Sequence, residues 1–160
     1  MPVAFVDKPA VGAPAEVHTT QQNPVGMIAT GNDGYQYIYL KGVASTVAGD
    51  FVSFEETTFT TARLTSTSKG GVAIATAAVV ANNWGWYGYV GTFTSNCLSA
   101  TLSNAVIYAT GTAGSAEDVL AVGAQIVGAV SRGAPVTSTG GGSQTVTINR
   151  PWVGVTGHSA

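Results

Sequence analysis

Asn82-Asn83-Trp84-Gly85-Trp86-Tyr87-Gly88-Tyr89-Val90-Gly91 follows a run of small apolar residues, Val72-Ala73-Ile74-Ala75-Thr76-Ala77-Ala78-Val79-Val80. The two stretches read as a β-hairpin: an extended strand, a turn at Ala81-Asn82-Asn83 and a return strand. Asparagine tolerates left-handed backbone angles, which suits a tight turn. Strand side chains alternate, so Trp84, Trp86 and Val90 face one side and Tyr87 and Tyr89 the other. Large rings on both faces of one strand require cover on both, from the chain's own core and from another subunit. The stretch points to assembly rather than to chemistry.

Short strand signals surround it. Tyr35-Gln36-Tyr37-Ile38-Tyr39-Leu40 puts its tyrosines on one face and Ile38 and Leu40 on the other. Val43 to Val47 leads to a turn at Ala48-Gly49-Asp50, after which Phe51-Val52-Ser53-Phe54 resumes extended structure. Thr57 to Leu64 is threonine-rich and β-branched, and Ser66 to Gly71 reads as a turn. Ala105 to Ala109, Gln125 to Val130, Thr145 to Asn149 and Trp152 to Val155 read as further strands, with Thr139 to Ser143 a flexible connector. Ser115-Ala116-Glu117-Asp118 resembles a helix capping box, but Gly123 limits any helix there to a turn or two. Many short strands with glycine turns and no long helical pattern predict an all-β fold: a single compact antiparallel sandwich or barrel over residues 35–155.

Residues 1–34 carry four prolines, Pro2, Pro9, Pro14 and Pro24, and show no sustained periodicity. Proline fixes its own backbone and removes a donor, so an extended N-terminal arm is expected. Phe5, Val6, Val11, Val17 and Met27 are apolar anchors that suit a strap laid along a neighbouring subunit. Such a strap predicts that removing residues 1–30 leaves the domain folded. Residues 156–160 are expected to fray.

Composition narrows the function. Charged residues make up 9% of the 160, against about 25% in a typical soluble domain. Gly, Ala, Ser and Thr fill the balance, giving the neutral, hydroxyl-rich surface of a chain that hides much of itself in a permanent assembly. The six basic residues are scattered and the net charge is -2, so nucleic acid, which needs clustered cations, is not an expected partner. Cys97 is the one cysteine; it forms no internal disulfide and reads as a small buried apolar residue. The first residues lack a signal peptide's basic head and apolar body, and the run from Val72 is too short for a membrane helix. Cytosolic synthesis and no membrane partner are expected.

No catalytic constellation emerges, and neither cofactor nor metal is expected. His18 and His158 lie in the arm and the tail, where a rigid general base is least at home. Adjacent Glu55 and Glu56 on a strand would point to opposite faces, and Glu117 with Asp118 falls short of calcium's ~6–8 oxygens. Gly111 to Ser115 and Gly140 to Ser143 lack a phosphate-binding lysine, and there is no Gly-x-Ser-x-Gly elbow. The alternative use of the aromatics is a sugar-stacking platform of Tyr35, Tyr37, Tyr39, Trp84 and Trp86, as in carbohydrate-binding β-sandwich modules. Core and subunit packing is the commoner fate of such rings.

The succession Val47-Ala48-Gly49-Asp50-Phe51-Val52, Gly71-Val72-Ala73 through Trp84-Gly85-Trp86, Ile107-Tyr108-Ala109-Thr110-Gly111 and Gln125-Ile126-Val127-Gly128 resembles small structural proteins of tailed bacteriophage heads. The resemblance spans approximately Lys41 to Val155 and rests on strand and turn residues. It implies a head decoration, or cement, protein: a non-enzymatic β-domain on the outer surface of the assembled shell, often a homotrimer, bridging major capsid subunits. It carries no catalytic residues over, and it leaves a tail or fibre component as an alternative. The contacts would come from the arm and the aromatic strands, through Phe5, Val6, Val11, Tyr35, Tyr37, Trp84, Trp86, Tyr87 and Tyr89. The aromatic density of Trp84 to Tyr89 departs from the family pattern, so the binding surface is expected to be the chain's own.

Overall fold

A computed structural model describes residues 3–6 and 10–154 of the chain. The tail at 156–160, with His158, lies outside the described residues. Strands β1 (Val17–His18), β2 (Ile28–Thr30) and β3 (Gln36–Lys41) precede β4 (Phe51–Phe54), β5 (Thr61–Arg63) and β6 (Gly70–Ala75). The long β7 (Trp84–Cys97) follows, then β8 (Val106–Ala109), β9 (Ala116–Glu117), β10 (Gln125–Ser131) and a second long strand, β11 (Gly142–Val153). All 11 belong to one sheet. The fold is all-β as expected, with no helix among the described residues, and none therefore to cross a membrane.

The sheet closes on itself twice. β7 pairs with β11, β11 with β10, β10 with β8, β8 with β9, and β9 returns to β7 where Cys97 lies opposite Ala116. That last contact is parallel; the other strand pairings are antiparallel. The second circuit runs β3–β7–β6–β4–β5 and is completed by a bridge between Lys41 and Thr60. Closure of this kind removes the unpaired edges that otherwise invite aggregation.

β7 belongs to both circuits. β3 runs along one edge, from Trp84 opposite Lys41 to Val90 opposite Gln36. The other edge is taken in succession by β1 at Trp84 and Gly85, β6 at Tyr87 and Gly88, and β11 from Val90 to Cys97. Trp86 faces one core with Tyr37, Tyr39, Phe51, Ile74 and Phe93; Tyr87 faces a second with Ile38, Leu40, Val52 and Phe54. Strict alternation would put Trp86 and Phe93 on opposite faces. The register slips opposite Gln36 and Tyr37, Gly91 takes a φ of 138°, and the parity of the strand changes there. A Cβ at Gly91 would stand 2.4 Å from the Tyr35 ring, so only glycine allows the slip and the packing together.

The hairpin of β6 and β7 is looser than the expected tight turn. β6 ends at Ala75, and residues 76–83 form a loop in which Asn82 does take a left-handed φ of 63°. The Thr76 hydroxyl lies between the carbonyls of Pro14 and Trp86 and shares its one proton with them, which ties that loop to the N-terminal segment. Val43 to Val47 and the first part of Thr57 to Leu64 are turns, and the connector at Thr139 to Ser143 ends inside β11. β11 runs on through Pro151, at a bulge where Gly128 (φ 81°) and Arg150 (φ 46°) break the ladder to β10. A missing N–H is tolerated at such a bulge. The capping-box sequence forms β9: Ala116 and Glu117 pair with Ala109 and Tyr108 instead of winding a helix.

The N-terminal segment is extended but is no free arm. β1 and β2 are members of the sheet, Phe5 bridges to Gly31, and the Val6 N–H donates to the Thr30 carbonyl. The Phe5 ring packs 4.4 Å from Trp86 and 5.8 Å from Tyr37, and the Trp86 indole N–H donates to the Val11 carbonyl at 3.1 Å. His18, although it belongs to this N-terminal segment, is buried, its Nδ1 2.7 Å from the Tyr39 hydroxyl. The strap lies along its own domain because Trp86 and Tyr39 need a lid there. Removing residues 1–30 is therefore expected to lower stability by at least the about 3–5 kcal/mol of one deleted core phenylalanine, contrary to a dispensable arm. Urea denaturation of the truncated and full chains measures the difference.

Candidate functional site

The residues proposed from sequence as an interface are distributed by the fold between core and surface. Tyr37, Trp86 and Tyr87 have 3%, 0% and 0% of their surface exposed. Side chains so enclosed have nothing to offer another subunit or a sugar, so the stacking platform on Tyr37, Tyr39 and Trp86 is ruled out. Phe5, Tyr35, Trp84 and Tyr89 are half-buried: Tyr35 packs at 5.3 Å on Phe93, Tyr89 at 6.1 Å on Phe54, and the Lys41 ammonium lies 5.8 Å from the Trp84 ring. Val6 and Val11 remain exposed.

Exposed apolar surface gathers elsewhere, around β8, β9 and β10. Leu102, Val106, Val119, Leu120, Val122 and Val127 all stand in solvent, Val122 at 98% and Leu120 at 73%. The Leu102 N–H donates to the Asp118 carboxylate, which brings that turn beside Val119. Leu120, Val122 and Val127 line a common cleft with Tyr108 and Gln125. The turn or two of helix expected between Ser115 and Gly123 does not form. A 3.6-residue period was never present to hide one face, and the β9 pairing leaves the segment that follows as an outward loop.

Two polar features complete the surface. Asp50, 1% exposed, is paired with Arg63 through 2.8 and 3.4 Å contacts, and it accepts from the Asn96 side chain at 3.0 Å and the Val47 N–H at 3.0 Å. A Cβ at Gly114 would fall 2.5 Å from its Oδ1, which explains a glycine there. Four chain segments meet at this carboxylate, and every partner serves the fold. The second feature is a cleft of about 440 Å³ bounded by Ser53, Phe54, Glu55, Glu56, Thr60, Ala62, Lys69, Gly70 and Trp152. Glu55 and Glu56 lie beyond the end of β4, in a turn, so strand alternation does not separate them and both border the cleft.

Burial governs the titration of the interior. It pushes the Cys97 thiol up to about 11, only partly offset by a hydrogen bond with Ser95, so this cysteine is a packed apolar group. It also raises the Tyr87 hydroxyl well above its ordinary value, and that of Tyr37, whose O–H donates to Asp33 at 2.6 Å. Among the described residues no three His, Cys, Asp or Glu side chains gather as a metal site. Comparison with protein-family models, with curated proteins and with solved structures finds no match to the chain.

Two outcomes follow from this geometry. Arg63→Ala strands a buried carboxylate and is expected to cost about 3–5 kcal/mol, read from urea midpoints. Tyr37 and Tyr87 stay protonated in the folded chain while unfolded tyrosine ionises near pH ~10. Stability is thus complete below that pH and is lost as pH rises above it. Urea midpoints should be level up to about pH 10 and fall above it, with phenolate absorbance of Tyr37 and Tyr87 arriving together with unfolding.

Proposed function

We propose that this chain is a non-enzymatic virion structural protein that binds the outer surface of an assembled phage capsid and stabilises it by bridging major capsid subunits. The observation that carries the reading is the exposed apolar surface of Leu102, Val106, Val119, Leu120, Val122 and Val127 on a chain with 9% charged residues. Clustered apolar side chains at 50–98% exposure, as Val119, Leu120, Val122 and Val127 are, mark a protein-binding surface on an otherwise well-packed domain. The doubly closed ladder supports the same role, since a rigid body transmits load between the subunits it bridges. Self-association as a homotrimer would place several copies of this loop on the shell at once.

Stabilisation then works by mass action. A ligand that binds only the assembled shell lowers the free energy of that state, and linked weak contacts multiply the effect. Val6 and Val11 are a secondary contact, since the N-terminal segment is held to its own domain at Phe5 and Trp86. The proposed partners are the major capsid protein and further copies of this chain.

Quantitative mass spectrometry of purified particles tests the assignment. A ratio to the major capsid protein near whole-shell stoichiometry is expected; a trace ratio indicates a tail or fibre component, and absence from particles overturns the virion reading. Leu120→Asp with Val122→Asp should reduce shell occupancy at least about tenfold, the effect of losing ~1.4 kcal/mol per site. The thermal midpoint of the free protein should not change, because both side chains already face water.

A further inference from the structure

The cleft beside Trp152 is not used by the shell-binding reading, and its walls have a specific chemistry. Trp152 is 40% exposed, the most exposed of the three tryptophans. It lies directly opposite Gly71 of β6, which in turn lies opposite Phe54 of β4. The Phe54 ring occupies the space where a Gly71 side chain would be, 2.4 Å from an ideal Cβ position. The ring that fills this space floors a trough between the indole and the far strand.

Hydrogen-bonding groups of fixed position border that trough. The Gly71 N–H holds Glu56 Oε1 at 2.7 Å, so the carboxylate is anchored with its other oxygen available. Glu55 is held in the same turn by the Thr57 and Thr58 hydroxyls at 2.8 and 3.1 Å. The exposed Lys69 makes no ion pair among the described residues, so its ammonium can donate. An apolar platform with a few convergent polar groups is the general form of a small-ligand site. Two carboxylates against one ammonium disfavour an acidic ligand.

We propose that this cleft binds a neutral hexopyranose unit of a saccharide. The apolar C–H face of the ring stacks on the Trp152 indole, Glu56 and Glu55 accept hydrogen bonds from ring hydroxyls, and Lys69 donates to a hydroxyl or ring oxygen. This is a different place from the tyrosine and tryptophan cluster that the sequence offered, of which Tyr37, Tyr39 and Trp86 are buried. On a virion surface such a site would give weak, many-fold attachment to polysaccharide.

The isolated full chain suffices for the test, so its outcome is independent of shell binding. Cellotriose, maltotriose and triacetylchitotriose are titrated to ~10 mM, above the millimolar range of weak ligands, while amide shifts of the labelled protein are followed. At least one sugar should move the amides of residues 53–56, 69–71 and 152 saturably. Trp152→Ala should weaken that response about tenfold, in line with loss of a stacked ring, and Glu56→Gln should weaken it with the fold intact. Absence of shifts with all three sugars, shifts elsewhere on the surface, or an undiminished response in folded Trp152→Ala overturns the proposal. Should Trp152→Ala fail to fold, the wild-type shift map and Glu56→Gln decide.

Discussion

Everything in this fold leans on β7, a strand that must be covered on both faces and paired along both edges. A strand carrying Trp84, Trp86 and Phe93 toward one core and Tyr87 and Tyr89 toward another cannot sit at the margin of a sheet. β3 covers one edge, while β1, β6 and β11 share the other. That requirement forces the sheet to bend back twice, because a single flat layer would leave one set of rings in water. The slip at Gly91 lets one strand serve both circuits, since it rotates the second half relative to the first.

The same constraint explains what happens to the N-terminal segment. The Phe5 ring is drawn onto Trp86, covering a patch the rings leave open, and the Val11 carbonyl accepts from the Trp86 indole N–H. Burial of ring surface contributes more than the entropy retained by a free strap, once the strap is already extended by its prolines. Open surface is thereby left where the ladder ends: the loop through Val119 and Val122, and the trough beside Gly71 and Trp152. These positions are open because they lie outside the demands of β7.

Polar groups inside the chain hold its connections together. Asp50 gathers Arg63, Asn96 and the Val47 N–H, so a turn, β5 and β7 are fixed at one buried carboxylate. Gln144 works in the same manner, its amide donating to the carbonyls of Thr101 and Ala134. The matching is not complete, since the Tyr87 hydroxyl and Gln144 Oε1 are buried without a hydrogen-bond partner among the described residues.

Much of this was legible in the residues. Alternation assigned Tyr37 and Tyr39 to one face and Ile38 and Leu40 to the other, and Trp86 opposite Tyr87, because a strand's period of two is a local property. The all-β class followed from short β-rich stretches and glycine turns for the same reason. What lay beyond them was which partner covers each face. Sequence could not say that Phe5 covers Trp86, since that contact spans the chain and depends on closure. Nor could it say that Glu55 and Glu56 share a cleft with Trp152, because β4 ends at Phe54 and the neighbour across Gly71 comes from the other end of the chain. Local periodicity alone determined the faces of the strands; only tertiary closure decided which were left exposed, because exposure is what remains after distant segments have paired.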